Sequence, residues 1–523
     1  MTALLADIPL EPAGVPRGRA MVERAEWAAR AFATFDIETV RRIAKAAAEA
    51  GESHAQEFAE AAVAETGFGV AEHKILKNVA CSIGIWNTYA ANDFVSPVIH
   101  ADQRIVEIPR PAGVLLALTP STNPVATTYF KIMLALLTRN AIIISPHPYA
   151  KKVCSDAVRV MRDAAIAAGA PDGCIQVVEE PSIPLIDALM TDPRVAVIVA
   201  TGGTPMVRAA YRSGNPAIGV GPGNVPVLVD ATADVQLAAR CLVASKAFDN
   251  SILCTNESVV IVEEQILAPF TAAMKREGAY VLDGAEIEAV RGVIFEGDHF
   301  DVSWVGRSAR QIADAAGIKV PASTRILVAP FPIVVPEEML AHEKLCPVLG
   351  LVTVPSAARG IDAARAVLRI AGSGHSAGIY SESARTVMDY AAGVRVLRIS
   401  VNVGNSLGGS GIETNLAPSM TIGTGFFGGS SVGENLEPKH LVDMTRIAYS
   451  SDGRVPMPEF EAIDPWRAPS GAVPPYPIAS NEADAPRLVS SASASREATG
   501  EGDELRDEIR RLVVEELRQI IKG

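Results

Sequence analysis

Short apolar runs alternate with helix-length amphipathic segments from about residue 105 onward, and this alternation constrains the fold more than any other feature. Runs this short suit strands buried on both faces, and the segments between them supply helices that cover those faces. The pattern therefore predicts an α/β fold built on a parallel sheet. The first alternation contains the runs VLLALT (114–119), AIIISP (141–146), CIQVV (174–178) and VAVIVA (195–200).

A second alternation of the same kind begins at PVLVD (226–230). Ahead of the first one, residues 19–66 have helical periodicity, and Asp36 is suited to cap a helix within them. This order predicts two units. The first is a dinucleotide-binding domain with the N-terminal helices over residues 19–225, and the second is a catalytic domain over residues 226–397.

The composition describes an aliphatic-rich soluble protein, with 49% hydrophobic but only 5% aromatic residues among 523. A net charge of −13 argues against nucleic-acid binding, which needs clustered basic residues. No apolar run approaches the roughly 20 residues that a membrane helix needs, and the first residues lack the features of a secretory signal. The cysteines form no CxxC pair, so a reducing cytosol is expected, and neither a zinc site nor another metal site. They are Cys81, Cys154, Cys174, Cys241, Cys254 and Cys346.

The last part of the chain changes character twice. Residues 455–502 are rich in proline and then in serine, alanine and glycine, which predicts a flexible linker. Residues 503–522 predict an amphipathic helix, which could be a coiled-coil strand, a membrane-surface helix, a docking peptide or a helix packed on its own core. Its apolar face comprises Leu505, Ile509, Leu512, Val513, Leu517, Ile520 and Ile521.

Cys254 is the best candidate for a nucleophile. It follows the polar cluster 249–251 in KAFDNSILCTNES and precedes Thr255, Asn256 and Glu257. A structural cysteine more often sits inside an apolar run. A partly exposed polar loop allows the pKa of a thiol to be lowered, so a reactive thiolate is expected here.

Further segments occur in an order that resembles the aldehyde dehydrogenase superfamily. TPSTNP (119–124), ATGGTPMV (200–207) and EKLCPV (343–348) carry this resemblance together with Cys254. It extends from about residue 19 to residue 450. The runs KAFDNSILC, GVGPGNVP and GHSAGIYS resemble the CoA-acylating branch, including the propionaldehyde and acetaldehyde dehydrogenases of bacterial microcompartments.

The resemblance implies the aldehyde dehydrogenase fold, with a Rossmann-like dinucleotide domain and a small oligomerisation element within residues 398–450. It also implies that Asn123 donates its amide to the oxyanion formed when Cys254 attacks an aldehyde. From the residues alone, TPSTNP and ATGGT are equally good turns and Glu343 is a solvated acid. The positions that the resemblance assigns to a nicotinamide cofactor are Thr119, Ser145, His147, Gly202, Gly203, Glu343 and Leu345. Ser145 replaces a lysine found in many members, which leaves NAD or NADP open.

Val220 is the most useful departure from the hydrolytic members of the family. At this position they have a glutamate that activates water, whereas valine can neither accept a proton nor orient water. A thiol is then the natural acceptor of the acyl group. The implied reaction is oxidation of a short-chain aldehyde, such as propanal or acetaldehyde, with NAD and CoA through a thioester on Cys254.

Three alternatives remain open or are set aside at this stage. A hydrolytic, acid-forming aldehyde dehydrogenase is the closer rival, and a non-catalytic assembly protein is another. A bifunctional aldehyde-alcohol dehydrogenase is not expected, because the roughly 70 residues after the resemblance ends are too few for a second enzyme domain. The motifs starting at Gly372 and Gly423 match GxGxxA and GxGxxG but are predicted to be structural turns, and His375 a structural or substrate-side residue.

The resemblance also suggests partners and a location. The helix 503–522 resembles the encapsulation peptides that direct such enzymes into bacterial microcompartments, so a shell protein is the expected partner. The lumen of a microcompartment in the bacterial cytoplasm is the expected location. A homodimer or homotetramer is the expected assembly.

Overall fold

The computed structural model describes residues 14–476. Helices and strands alternate along most of this range. The helices are α1 (Val15–Phe32), α2 (Ile37–Ser53), α3 (Ala55–Thr66), α4 (Ala71–Val79), α5 (Ile85–Tyr89), α6 (Pro124–Leu137), α7 (Lys151–Ala167), α8 (Ile183–Thr191), α9 (Thr204–Arg212), α10 (Val235–Ala247), α11 (Leu267–Arg276), α12 (Gly284–Ile294), α13 (Ala309–Ala315), α14 (Ala357–Ile370), α15 (Ala384–Gly393) and α16 (Asn405–Gly408).

The strands are β1 (Val98–His100), β2 (Ile105–Pro111), β3 (Val114–Thr119), β4 (Ala141–Pro146), β5 (Ile175–Val177), β6 (Val195–Thr201), β7 (Ala217–Val220), β8 (Val225–Val229), β9 (Glu257–Glu263), β10 (Ala279–Val281), β11 (Phe295–Glu296), β12 (His299–Phe300), β13 (Ile326–Pro330), β14 (Val348–Val354), β15 (Ala377–Tyr380), β16 (Ile399–Val401) and β17 (Val442–Ala448). The predicted α/β fold with parallel sheets is confirmed.

The first parallel sheet has the strand order β5-β4-β3-β6-β7. Its strand order reverses between β3 and β6, and ligands of such sheets bind at the carboxyl edge beside that point. Helix α6 is buried along its whole length against this sheet. Within it, the Lys131 ammonium donates to the carbonyl oxygens of Leu118 (2.7 Å) and Val199 (2.8 Å), which ties β3 to β6 near this edge.

The second parallel sheet has the order β10-β13-β14-β9-β8-β15-β16. Successive residues of a strand face opposite sides, and both sides of this sheet are apolar. In β8, Val227 and Val229 pack in one core cluster and Leu228 in the other. Strand β7 ends the first sheet and residues 221–224 lead directly into β8, so the chain passes from the carboxyl edge of one sheet to the amino edge of the other.

The N-terminal helices begin as expected. Asp36 caps α2 by accepting a hydrogen bond from the Thr39 N–H at 2.8 Å. A three-stranded antiparallel sheet, β1-β2-β17, joins residues 442–448 to the segment 98–111 that precedes the first parallel sheet. Within residues 14–476, no helix combines the length and the apolar character needed to cross a membrane.

Residues 455–476, predicted to begin a flexible linker, instead contact the N-terminal part of the molecule. The Trp466 indole N–H donates to the Val95 carbonyl at 2.7 Å. The centroid of the Trp466 ring lies 4.4 Å from the guanidinium carbon of Arg139. Tyr476 donates to Glu23 at 2.9 Å. We call residues 455–476 the C-terminal strap. The rest of the predicted linker and the predicted helix 503–522 lie outside the described residues.

Candidate active site

The candidate site lies at the amino edge of the seven-stranded sheet. Cys254 precedes β9, Glu343 precedes β14, His375 precedes β15 and Arg398 precedes β16. These strands are neighbours around β8, and parallel neighbours begin at the same edge. The connection 221–224 enters at the same place, because it precedes β8. Four residues that are far apart in sequence are thereby brought to one edge.

The turn before Cys254 has an unusual backbone. Asp249, Asn250 and Ser251 have φ values of 48°, 52° and 67°, a left-handed conformation that residues other than glycine seldom adopt. Such strain persists only where surrounding contacts hold it. Here the fully buried Asp249 carboxylate accepts a hydrogen bond from the Val70 N–H at 2.6 Å. The turn that presents Cys254 is thus anchored to the segment that leads into α4.

The backbone of Cys254 is packed against Gly223. A Cβ atom at position 223 would lie 2.0 Å from the Cys254 carbonyl oxygen and 3.4 Å from Cε1 of His375, so only glycine fits. The Gly223 N–H donates to the Glu343 carboxylate. The loop after Val220, the nucleophile turn and Glu343 therefore form one contact set.

The expectation of a lowered Cys254 pKa is wrong for this structure. Burial and, to a smaller extent, the negative charge of Glu343 raise the pKa of the thiol to about 12, while Arg398 acts in the opposite direction. Burial also raises the pKa of Glu343 to about 8. Cys254 nevertheless keeps partial exposure. The thiol is thus protonated at neutral pH and requires a proton acceptor to become a nucleophile.

Asn123 lies at the carboxyl end of the neighbouring sheet, between β3 and α6. Its side chain makes no cap bond to α6, although it occupies the position before the helix. Its Oδ1 accepts a hydrogen bond from the Lys77 ammonium, and its Nδ2 lies 3.5 Å from the Thr122 hydroxyl. Lys77 in turn contacts Asp249. Asn123 is therefore linked to the turn of Cys254 through one lysine.

The structure gathers five of the positions assigned to the cofactor at the carboxyl edge of the five-stranded sheet. Thr119 ends β3, Ser145 lies in β4, and Gly202 and Gly203 follow β6. The His147 N–H donates to the Thr119 carbonyl at 3.0 Å, which joins the ends of β3 and β4. Burial lowers the pKa of His147 to about 4, so its imidazole is neutral at physiological pH.

These residues fit a nicotinamide dinucleotide. Helix α9 begins directly after Gly203 and has no side-chain cap, so the N–H groups of Thr204 and Met206 can bind a phosphate, whereas Pro205 has no N–H. A Cβ at Gly202 would have no atom closer than Met206 Cγ at 3.9 Å, which leaves room for a close approach. The edge beside the strand-order reversal is also where this sheet type binds such ligands.

Glu343 and Leu345 come from the loop before β14. Glu343 is held at Gly223, between the two sheets, as described above. The Leu345 carbonyl accepts a hydrogen bond from the Gly306 N–H at 2.8 Å, and its side chain packs against the core of the seven-stranded sheet. Leu345 is thus placed with that core, and its cofactor role stays a prediction.

The sequence did not identify Lys77, Arg398 or the part played by Asp249. Lys77 lies on α4, where a lysine looks like any solvated helix residue, yet it is only 1% exposed. Arg398 donates to the carbonyls of Gly423 (2.5 Å) and Gly433 (2.7 Å), and its charge acts on Cys254. Burial lowers the pKa of His375 to about 3, and its Nε2 has no hydrogen-bond partner among the described residues. No local pattern marks these residues, because each is defined by distant neighbours.

The two glycine motifs set aside above pack against each other. A Cβ at Gly374 would lie 1.9 Å from the Thr424 carbonyl oxygen, and the Gly374 φ is 80°. Neither motif opens a helix that follows a strand of the five-stranded sheet. The structure is therefore consistent with structural turns at both.

The chain belongs to the aldehyde dehydrogenase family, whose family model matches residues 12–413. It is 39% identical over 440 residues to the bifunctional aldehyde-alcohol dehydrogenase AdhE of Escherichia coli, covering 83% of this chain and 49% of that protein. The chain thus spans about half the length of that relative. It is 35% identical over 439 residues to the acetylating succinate-semialdehyde dehydrogenase of Clostridium kluyveri, covering 83% of this chain and 96% of that one.

Solved structures give the same result for the fold. An acetylating aldehyde dehydrogenase from Geobacillus thermoglucosidasius has a TM-score of 0.82 at 34% identity, covering 85% of this chain and 98% of that one. A propionaldehyde dehydrogenase from Rhodopseudomonas palustris with bound propionyl-CoA has a TM-score of 0.75 at 28% identity, covering 83% and 94%. A propionaldehyde dehydrogenase from the fucose-utilisation microcompartment of Clostridium phytofermentans has a TM-score of 0.75 at 25% identity, covering 83% and 97%.

Proposed function

We propose that this protein is an NAD-dependent, CoA-acylating aldehyde dehydrogenase. The reaction is aldehyde + NAD⁺ + CoA → acyl-CoA + NADH + H⁺. The observation that carries the proposal is Val220 at the end of β7, since its connection to β8 packs Gly223 against Cys254 and offers no acid at the position that activates water in hydrolytic members. The acetylating and propionyl-CoA-bound relatives support the same acceptor.

The residues divide the chemistry as follows. The Cys254 sulfur attacks the aldehyde carbon after its proton passes to the ionised form of Glu343, which, with a pKa near 8, is the minor form at pH 7 and the major form above pH 8. Asn123 Nδ2 and the Cys254 N–H stabilise the oxyanion. Gly202, Gly203 and the start of α9 would hold the nicotinamide cofactor, which would supply the two-electron acceptor. Oxidation of the hemithioacetal leaves a thioester on Cys254, and the CoA sulfur then displaces the Cys254 thiolate.

The cofactor is proposed to be NAD rather than NADP. The 2′-phosphate of NADP needs a cation, and the imidazole of His147 beside the cofactor edge is neutral. The nearby Lys151 ammonium is 2.5 Å from the Glu180 carboxylate, so part of its charge is already offset. A lower KM for NAD than for NADP in the same assay is the corresponding measurement.

CoA dependence tests the proposal directly. With aldehyde and NAD but no CoA, the wild type is expected to form about one NADH per site and little free acid, because the thioester has no acceptor. Addition of CoA should restore turnover and yield acyl-CoA, measured by absorbance and chromatography. Val220→Glu should raise acid formation relative to acyl-CoA, while Val220→Gln, of similar size without a base, should not. Rapid acid formation by the wild type without CoA would contradict the proposal.

One observation favours the hydrolytic rival. Glu343 lies close enough to Cys254 to raise its pKa, and a carboxylate with a pKa near 8 could also activate water. In that case Glu343→Gln would abolish acid formation. If the enzyme is instead CoA-acylating, the wild type forms no appreciable acid, so Glu343→Gln cannot lower acid formation.

We further propose a short-chain aldehyde substrate and residence in a bacterial microcompartment. The support is the Clostridium phytofermentans microcompartment relative and the amphipathic pattern of residues 503–522, which lie outside the described residues. A fluorescent protein fused to residues 500–523 should form puncta with coexpressed shells, because the apolar face docks in a groove. Replacing Leu512 and Leu517 by Glu in that fusion should make it diffuse. A diffuse unmodified fusion would contradict the shell partner.

A further inference from the structure

Two lysines on α4 lie buried between the nucleophile turn and the oxyanion residue. Lys77 contacts both the Asn123 Oδ1 and the Asp249 Oδ2, and it is only 1% exposed. Lys74 lies 3.1 Å from the Asp249 Oδ2 and 3.1 Å from the Thr122 carbonyl oxygen. We propose that Lys77 is a positioning residue that sets the orientation of the Asn123 amide. This inference rests on the proposed oxyanion role of Asn123.

The chemistry of an ammonium group decides which way the amide points. A lysine ammonium has three donors and no acceptor, so it can hydrogen-bond only the carbonyl oxygen of an asparagine side chain. Lys77 therefore turns Oδ1 of Asn123 toward itself and Nδ2 away. The nearest polar contact of Nδ2 is the Thr122 hydroxyl at 3.5 Å, which is long for a hydrogen bond. The amide donors thus remain available for an oxyanion.

The same ammonium also braces the turn that carries Cys254. Asp249 is fully buried and has its negative charge shared between Lys77 and Lys74. Its N–H donates to His73 Nδ1 at 2.8 Å, which adds a second link from the turn to α4. A Cβ at Gly69 would lie 2.1 Å from the Asp249 Oδ1, so only glycine fits beside this carboxylate. Lys77 therefore contacts both the oxyanion donor Asn123 and the turn that carries Cys254, and it fixes their relative positions.

Lys74 provides a matched control. It neutralises the same carboxylate from the same helix, yet its other contact is the Thr122 backbone and not the Asn123 amide. Lys74→Met and Lys77→Met therefore remove the same charge from Asp249, and only the second frees the amide to rotate. A difference in rate between the two variants therefore measures the effect of the Asn123 orientation, apart from the support that both lysines give to the turn.

The test is a double-mutant cycle on the NADH burst, which reports thioester formation before CoA acts. Lys77→Met should lower the burst rate on the order of tenfold to a hundredfold, with little change in the KM for aldehyde, because a disordered donor is lost from the transition state. Lys74→Met should lower it less. In an Asn123→Ala background, Lys77→Met should have little further effect, whereas Lys74→Met should keep its full effect.

Two results would overturn the inference. One is an equal loss from Lys77→Met with and without Asn123, and the other is an unchanged burst rate in Lys77→Met. If Lys77→Met does not fold by circular dichroism, the cycle is run with Lys77→Arg, which keeps the charge on Asp249 and is expected to show a smaller, still Asn123-dependent loss. Because the burst precedes acyl transfer, a wild type that makes free acid would refute CoA acylation and leave this cycle readable.

Discussion

Replacement of Cys254 by Ala is expected to abolish acyl-CoA formation, with a loss of at least about 10⁴-fold in kcat. Cys254 carries the acyl group, and Cys346, which also lies at the amino edge of the seven-stranded sheet, is fully buried. Cys241, the other partly exposed cysteine, lies on α10 and serves as the matched control. Cys241→Ala should keep the wild-type rate within a few-fold. Substantial turnover by Cys254→Ala would refute the mechanism.

The same thiol has a predicted pH dependence. Because burial and Glu343 raise the pKa of Cys254 to about 12, the thiolate fraction is small at pH 7 and rises with pH. Alkylation by iodoacetamide, with Cys254→Ala as the blank, should therefore accelerate continuously between pH 7 and 10. Glu343→Gln removes a negative charge that raises this pKa, so it should speed alkylation above pH 8, where Glu343 is ionised. A rate that is already constant below pH 7 would contradict the raised pKa.

Replacement of Asn123 by Ala is expected to lower kcat by roughly 10²–10³-fold, since removal of one oxyanion donor costs about that much. The free energy of unfolding should also fall, because Asn123 is buried and its Oδ1 accepts a hydrogen bond from the buried Lys77 ammonium. The measurement is steady-state NADH formation together with thermal unfolding.

Asn123→Asp distinguishes this electrostatic role from a steric one. Aspartate has the same size and could still pair with Lys77, but it offers the oxyanion negative charge in place of donors. It should be at least as damaging as Ala. A near-normal rate for Asn123→Asp would show that Asn123 only fills space.

The strands of the first sheet were the easiest part to predict from sequence. Strands β3 and β4 coincide with the runs 114–119 and 141–146, because every residue of both is buried and apolar residues therefore fill all but the ends of each run. For such a strand, the residues of the run itself are sufficient to predict it. Strand β5 spans only Ile175–Val177 of its run, although the flanking Cys174 carbonyl and Val178 N–H still hydrogen-bond to β4, each at 2.8 Å.

The electrostatics of the site could not be predicted from local sequence. The polar residues around Cys254 predict an activated thiol, but the strand ends packed around it, together with Glu343, raise its pKa even though the residue stays partly exposed. Burial of a lysine such as Lys77 likewise depends on which distant carboxylate meets it, here Asp249, 172 residues away. The contacts of the C-terminal strap could not be predicted from its glycine and proline content either, because these contacts depend on single aromatic residues such as Trp466.

The C-terminal strap decides where a truncation can be made. Arg139 is fully buried, and its guanidinium donates to the carbonyls of Ala33 (2.8 Å) and Pro109 (3.1 Å) beneath the Trp466 ring. A chain cut at residue 454 would open this charge to water and lose the Trp27 contact with the Pro474 carbonyl. In a localisation experiment, the resulting loss of stability would look the same as a loss of targeting to the microcompartment. A cut after residue 476 keeps these contacts. A truncation at that boundary therefore tests the role of residues 477–523 without removing the stabilising contacts of the C-terminal strap.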